Sequence, residues 1–253
     1  MKYTVITGAS SGIGYETALA FASRGKNVIL VARRTEELEK LKSEIEKMNP
    51  NVDVVIRTAD LSIPENVHAL YKGLQDFQLE TWINNAGFGN FASVADQNLN
   101  KIETMLHLNI EALTILSSLF VRDYSNVEGT QLINVSSGGG YTIVADAVTY
   151  CATKFYVSAF TEGLAHELKA QNAKMQAKVL APAATETEFA QRSLDLEHFE
   201  YSGVVPKFHT AKEMAAFMLE LYDSDKIVGI VDGITYEFKL QDPIYPYAVR
   251  ARK

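Results

Sequence analysis

The chain has 253 residues, one cysteine, 47% hydrophobic and 22% charged residues, and a formal net charge of −7. That composition is of a folded globular chain rather than a disordered or fibrous one, and the length suits one large α/β domain. The acidic balance argues against a general affinity for nucleic acid, which depends on Lys and Arg to neutralise phosphates, and the lone Cys151 excludes an intrachain disulfide and fits a reducing cytoplasm.

In chain order, the first expected strand is Lys2–Thr7, which leaves no room for a signal peptide. It runs into Thr7-Gly8-Ala9-Ser10-Ser11-Gly12-Ile13-Gly14 and then an apolar-periodic helix, Ile13–Arg24. Strand, glycine turn and helix together form the setting of a dinucleotide fingerprint. Glycine permits close backbone approach, and free N–H groups at a helix start can face a pyrophosphate. Gly8, Ser10, Ser11, Gly12, Ile13 and Gly14 are therefore candidate cofactor contacts.

The second strand, Asn27–Ala32, ends in Arg33-Arg34. An Asp or Glu there would accept from a ribose 2′-hydroxyl and repel a 2′-phosphate. Ala32 occupies that place, and Arg33, with Arg34 beside it, offers a planar, permanently charged fork. NADP(H) is the expected cofactor. A helix over Thr35–Met48, rich in Glu and Lys, reads as a solvated face with spaced opposite charges.

Further strands are expected at Val52–Thr58, Glu80–Ile83, Thr130–Val135, Gln176–Leu180 and Ile227–Val231. Further helices are expected at Pro64–Asp76, Asn98–Arg122, Val148–Gln171 and Ala211–Tyr222. No apolar run reads as a bilayer span, so no membrane partner is expected. Seven strands alternating with helices predict an α/β, doubly wound parallel sheet, with ligands at the carboxyl ends of its strands. The segment from Glu188 to His209 has no clear period. A long loop there reads as a substrate-binding loop.

Tyr150 and Lys154 lie four apart in an expected helix, on one face. A phenol titrates near ~10, so about a thousandth of it is ionised at pH 7. An ammonium close to it favours the phenolate, and a shift of ~2–3 units corresponds to roughly 3–4 kcal/mol. Tyr150 then becomes a proton donor and acceptor near neutral pH. Ser136 and Ser137 both precede it, and adjacent strand residues point to opposite faces, so one of them reaches the site. His68, His107, His166, His198 and His209 show no metal-ligand spacing. No metal is expected.

With Gly8, Gly12, Gly14, Asn84-Asn85-Ala86-Gly87, Asn109, Ser137 and Tyr150-Cys151-Ala152-Thr153-Lys154 in this order, the chain resembles the short-chain dehydrogenase/reductase family, in its branch of about 250 residues. The resemblance implies a single Rossmann-like domain over 1–253. Ser137, thirteen before the tyrosine, would polarise a carbonyl. Lys154 would also bond the nicotinamide ribose, and Asn109 would anchor a water beside the lysine. It further implies cofactor contacts at Asp60-Leu61, at Asn85, Ala86 and Gly87, and through Pro182, Thr185 and Thr187. Ala183 stands where the family carries glycine.

The implied activity is NADPH-dependent transfer of hydride between the cofactor and a carbonyl or secondary alcohol. A non-catalytic NADP-binding sensor is the alternative; a sugar-nucleotide epimerase would need a longer C-terminal substrate domain. The substrate stays open. Phe189, Leu194, Leu196, Phe199 and Tyr201, with Tyr245, Pro246 and Tyr247 from the tail, suit an apolar carbonyl compound, whereas Arg192 suits a carboxylate. A homodimer or homotetramer is expected, paired through the helices carrying Leu106, Leu113, Leu116, Leu119 and Phe120, and Phe155, Tyr156, Phe160 and Leu164.

Overall fold

A computed structural model describes residues 1–248. Its elements in order are β1 (Lys2–Thr7), α1 (Gly12–Ser23), β2 (Asn27–Ala32), α2 (Thr35–Met48), β3 (Val54–Thr58), α3 (Pro64–Lys72) and β4 (Gln78–Asn84). Next come α4 (Leu99–Leu106), a π turn over His107–Ala112, α5 (Leu113–Tyr124), β5 (Gln131–Val135), α6 (Val148–Ala170) and β6 (Gln176–Ala181). The chain ends through β7 (Thr185–Glu186), α7 (Phe189–Ser193), β8 (His209–Thr210), α8 (Ala211–Asp223), β9 (Val228–Val231) and β10 (Phe238–Gln241).

Eight strands form one sheet in the order β10-β9-β6-β5-β4-β1-β2-β3, and only the β10–β9 pair is antiparallel. The parallel strands are near-continuous apolar runs because helices cover both faces. Alternation along each strand then splits the core in two. Val5, Ile29 and Trp82 pack on one face with Leu116 and Phe120, while Ile6, Leu30 and Ile83 pack on the other with Phe21, Leu41 and Met218. Local signals agree with these elements. Leu38, Leu41 and Ile45 bury one stripe of α2; its first turn carries Glu36 and Glu37, which suit the positive end of the helix dipole. A capping box between Thr210 and Glu213 starts α8.

The chain runs β1-β2-β3 outward in one direction, then crosses to place β4 on the other side of β1. That reversal opens a crevice at the carboxyl ends of β1 and β4, where such sheets bind ligands. Three expectations need correction. The sheet has eight strands rather than seven, because β10 is a partly exposed edge strand without the apolar run that marked the others. The 188–209 segment contains the short helix α7, and the flanking β7 and β8 pair with each other. The continuous helix Leu99–Tyr124 is long and apolar enough to cross a membrane. Its Ala112, Leu113, Leu116 and Phe120 belong to the core, which accounts for that apolarity.

Candidate active site

One cleft of about 1220 Å³ runs over the carboxyl ends of β1, β2, β4, β5 and β6. It exceeds the ~300–1,000 Å³ of an ordinary small-molecule pocket, so it has room for two ligands side by side. Every residue expected to act in catalysis or cofactor binding lines it except Gly14 and Asn109.

At one end, α6 presents Tyr150 and Lys154 from the same face, and both are buried, at 8% and 6% exposure. Phe91 and Phe189 wall in the Tyr150 ring, with centroids 6.2 and 5.4 Å away. The Lys154 ammonium sits 5.8 Å from the centre of that ring and donates to the Val135 carbonyl at 3.0 Å. Burial raises the Tyr150 pKa, the Ser137 hydroxyl opposes it, and the net direction is up. Burial also lowers Lys154, from 10.5 to about 8. The expected direction for the tyrosine is thus reversed in the protein alone. Desolvation of the phenol outweighs its neighbours, and Tyr150 is held protonated.

Ser136 and Ser137 divide as alternation requires. Ser136 is buried, and its hydroxyl bonds Ser158 at 2.7 Å and donates to the Lys154 carbonyl at 2.9 Å. Both border the cleft, but Ser137 is only half-buried, and its Oγ accepts from the Gly139 N–H at 3.0 Å. The Gly138 N–H donates to the Pro182 carbonyl at 2.7 Å, which ties the loops after β5 and β6 together. Asn109 lies beneath the site, in the π turn. Its side chain donates to the Phe88 carbonyl at 2.9 Å and to Thr153 at 3.1 Å, and accepts from the Phe88 N–H at 3.2 Å. Those bonds occupy the side chain in joining the loop after β4 to α6.

The other end of the cleft matches a dinucleotide. Ser11 caps α1 without a side-chain hydrogen bond, and no acid stands in the first turn, so neither the cap nor the helix itself occupies the N–H groups of that turn. Gly14 has no room for a side chain: a Cβ would lie 2.4 Å from the Gly8 carbonyl oxygen. Gly12 adopts φ +57°, and a Cβ there would meet Thr187 at 2.9 Å. Tight glycines under free N–H groups are what a pyrophosphate needs. Asn85 fixes this loop by donating to the Thr7 and Gly8 carbonyls at 3.0 and 3.3 Å.

The two arginines differ. Arg33 is exposed and makes one loose pair with Asp60, at 3.7 Å. Arg34 is tied down, donating to the Ser10 carbonyl and hydroxyl at 3.2 Å and to Glu188 at 3.1 and 3.3 Å. Glu188 also bonds Arg192. Sequence reasoning missed Glu188, which meets Arg34 across 154 positions. It also missed Phe88 and Phe91, which line the cleft just past the Asn85-Ala86-Gly87 stretch. That adjacency was the available signal. Four wall assignments also change. Phe189, Leu194, Phe199 and Tyr201 line the cleft, whereas Leu196, Tyr245, Pro246 and Tyr247 do not. Tyr245 instead stacks on Tyr141, at 5.4 Å.

A family model described as short chain dehydrogenase matches residues 2–197. An uncharacterized oxidoreductase of Staphylococcus saprophyticus is 30% identical over 196 residues, covering 77% of this chain and 78% of that protein. A short-chain dehydrogenase from Sphingobium yanoikuyae in complex with NADPH superposes with TM-score 0.83 at 29% identity, covering 91% of this chain and 87% of its own. A bulky-bulky ketone specific alcohol dehydrogenase from Comamonas testosteroni gives TM-score 0.79 at 27% identity, with 91% and 86% covered. The chain belongs to the short-chain dehydrogenase family, whose oxidoreductases use a nicotinamide cofactor.

Proposed function

From that membership we propose that the protein is an NADPH-dependent reductase of bulky, apolar ketones, with Tyr150 as acid and base. The observation that carries this reading is the gathering of Ser137, Tyr150 and Lys154 at one end of a cleft whose other end offers the glycine loop and Arg33. A nicotinamide cofactor supplies hydride donation and acceptance at carbon. Tyr150 gives its phenolic proton to the substrate oxygen as charge builds there, and takes it back in the oxidation direction. Ser137 donates to the same oxygen, a preorganised stabilisation of developing negative charge. Lys154, with one N–H on Val135, keeps further donors for the ribose and the tyrosine. The first turn of α1, with Ser10, Ser11, Gly12 and Ile13, holds the pyrophosphate. Asp60, Leu61, Asn85, Ala86 and Gly87 flank the adenosine, and Pro182, Thr185 and Thr187 border the nicotinamide.

Arg33 is the natural partner for a 2′-phosphate, because its only pairing among the described residues is loose and exposed. The Sphingobium neighbour, with NADPH bound, supports that choice. A hydrogen bond to a charged group is worth ~1.5–3 kcal/mol, so Arg33→Ala should raise the KM for NADPH by roughly tenfold or more. The KM for NADH should not change, and equal effects on both would refute the NADP preference.

The substrate end favours an apolar compound. Phe88, Phe91, Leu108, Val144, Phe189 and Tyr201 line it, and Arg192 is engaged by Glu188 rather than free for a carboxylate. The Comamonas neighbour's bulky-ketone specificity agrees with that lining. Aryl ketones should be reduced in preference to 3-oxo acids of equal size, followed by NADPH oxidation. Tyr150→Phe should lower kcat by ~10²–10⁴. NADPH binding without turnover of any carbonyl would favour the sensor alternative. The reading also includes a cytoplasmic homo-oligomer; a monomer by light scattering at micromolar concentration would remove the oligomer.

A further inference from the structure

Glu162 is a carboxylate inside the protein, at 1% exposure, two turns beyond Lys154 on α6. Its three partners are neutral donors. One oxygen accepts from the Tyr141 hydroxyl at 2.6 Å; the other accepts from the backbone N–H groups of Ile244 and Tyr245, at 2.6 and 2.8 Å. A buried charge is costly unless it is well hydrogen-bonded, and bonds to an ionised acceptor are the strong ones. The C-terminal sequence supplies them in a specific way. Proline has no N–H, so within Pro243-Ile244-Tyr245-Pro246 only the two middle residues can donate, and both donate to the same oxygen. Each proline also restrains the residue before it toward extended backbone.

The docked tail reaches the active site. The Tyr245 ring stacks on Tyr141 at 5.4 Å and 17°, and its hydroxyl donates to the Gly140 carbonyl. Tyr141 lines the cleft. Gly140 closes the turn that begins at Ser137, its N–H donating to the Ser137 carbonyl at 2.8 Å. A second stack, Tyr247 on His166 at 4.3 Å, lays the tail along α6. One carboxylate therefore links three parts: the helix carrying Tyr150 and Lys154, the turn carrying Ser137, and the tail.

We propose that Glu162 is a positioning residue that recruits residues 243–247 as a buttress for the Ser137–Tyr141 turn, so that the C-terminal tail supports the substrate site from behind. Only the kinetic half of its test rests on the reductase reading.

The experiment is amide hydrogen exchange on full-length Glu162→Ala, Glu162→Gln and Tyr245→Phe. In Glu162→Ala, exchange at residues 138–142 should rise by about tenfold together with that of Ile244 and Tyr245. Glu162→Gln, which still accepts both N–H groups but without the charge, should fall between wild type and Glu162→Ala. Tyr245→Phe should loosen the turn while the tail amides remain protected, and it carries the test if Glu162→Ala does not fold. Kinetically, Glu162→Ala and Tyr245→Phe should raise the KM for ketone by roughly threefold or more, with the KM for NADPH unchanged, since the contacts lie at the substrate end. A merely structural glutamate would lower the yield of folded protein and move neither ratio. A tail that loosens while the turn keeps its protection overturns the proposal. A wild-type protein that reduces no ketone overturns the reductase reading instead, and leaves the exchange test standing.

Discussion

Among the described residues two lysines are buried, and they do opposite things with their ammonium groups. Lys178, on β6, is fully buried, and Lys154, on α6, is nearly so. Burial lowers both from an ordinary 10.5 to about 8. An ammonium has three donors. Lys178 places all three on carbonyls at the end of α8, those of Leu221 and Tyr222 at 3.0 Å and Ser224 at 2.7 Å. A cation at a helix C-terminus satisfies acceptors that the helix leaves unpaired and suits its dipole. Lys154 has one such bond, to Val135, and faces the cleft. The perturbed pKa values therefore do not separate the two residues. What separates them is how many donors the fold leaves uncommitted, which marks Lys154 for a ligand and Lys178 for the scaffold.

The sharpest way to break this contrast is Lys154→Met. Turnover should fall by ~10²–10⁴, as for removal of a proton-transfer partner. Stability should rise, however. A depression of about 2.5 units corresponds to ~3 kcal/mol held against folding at neutral pH, offset by the ~1–2 kcal/mol of the lost bond to Val135. A urea midpoint that drops would show that Lys154 is a strut, and the contrast would fail. Lys178→Met should give the reverse pattern. Three bonds are lost at ~1–2 kcal/mol each, although the Leu221 and Tyr222 carbonyls keep other donors in Ser224 and Gln131, against ~3 kcal/mol gained by removing the charge, so stability should fall by up to roughly 3 kcal/mol. Turnover per folded molecule should stay within about twofold, because the residue touches nothing in the cleft.

The same contrast separates what the sequence could reveal from what it could not. Tyr150 and Lys154 were legible because four residues is one helical turn. The different surroundings of Ser136 and Ser137 were legible from strand alternation. The parallel strands were legible as apolar runs ending at glycines or motif residues. Lys178 was hidden, since its partners lie 43 to 46 residues away on another element. Glu188 and Glu162 were hidden for the same reason; each acquires its role from a segment distant in the chain. The direction of the Tyr150 shift was also illegible. It depends on how tightly Phe91 and Phe189 exclude water from the phenol, and sequence spacing carries no such information. The edge strand β10 and the one-turn helix α7 lacked enough residues to show a period.

The smallest effect expected is one of pH. Lys154 has a folded-state pKa of about 8 against 10.5 when solvated. Below pH 8 it is protonated in both states, and the folded protein carries the full penalty of the buried charge. Between 8 and 10.5 the folded protein releases the proton while the unfolded chain keeps it, so the unfolded state binds more protons and stability rises with pH, by at most ~1.4 kcal/mol per unit. Burial lowers Lys178 to the same value, so wild type alone would not isolate this contribution. Its difference from Lys154→Met does, because the shared groups cancel. The stability advantage of Lys154→Met should be constant from pH 6 to 7.5 and shrink steadily by pH 9.5, read from urea midpoints at each pH. A gap that stays flat across that range would mean that Lys154 keeps its proton in the folded protein. Its ammonium would then be stabilised by more than the single bond to Val135, and the distinction from Lys178 would rest on geometry alone.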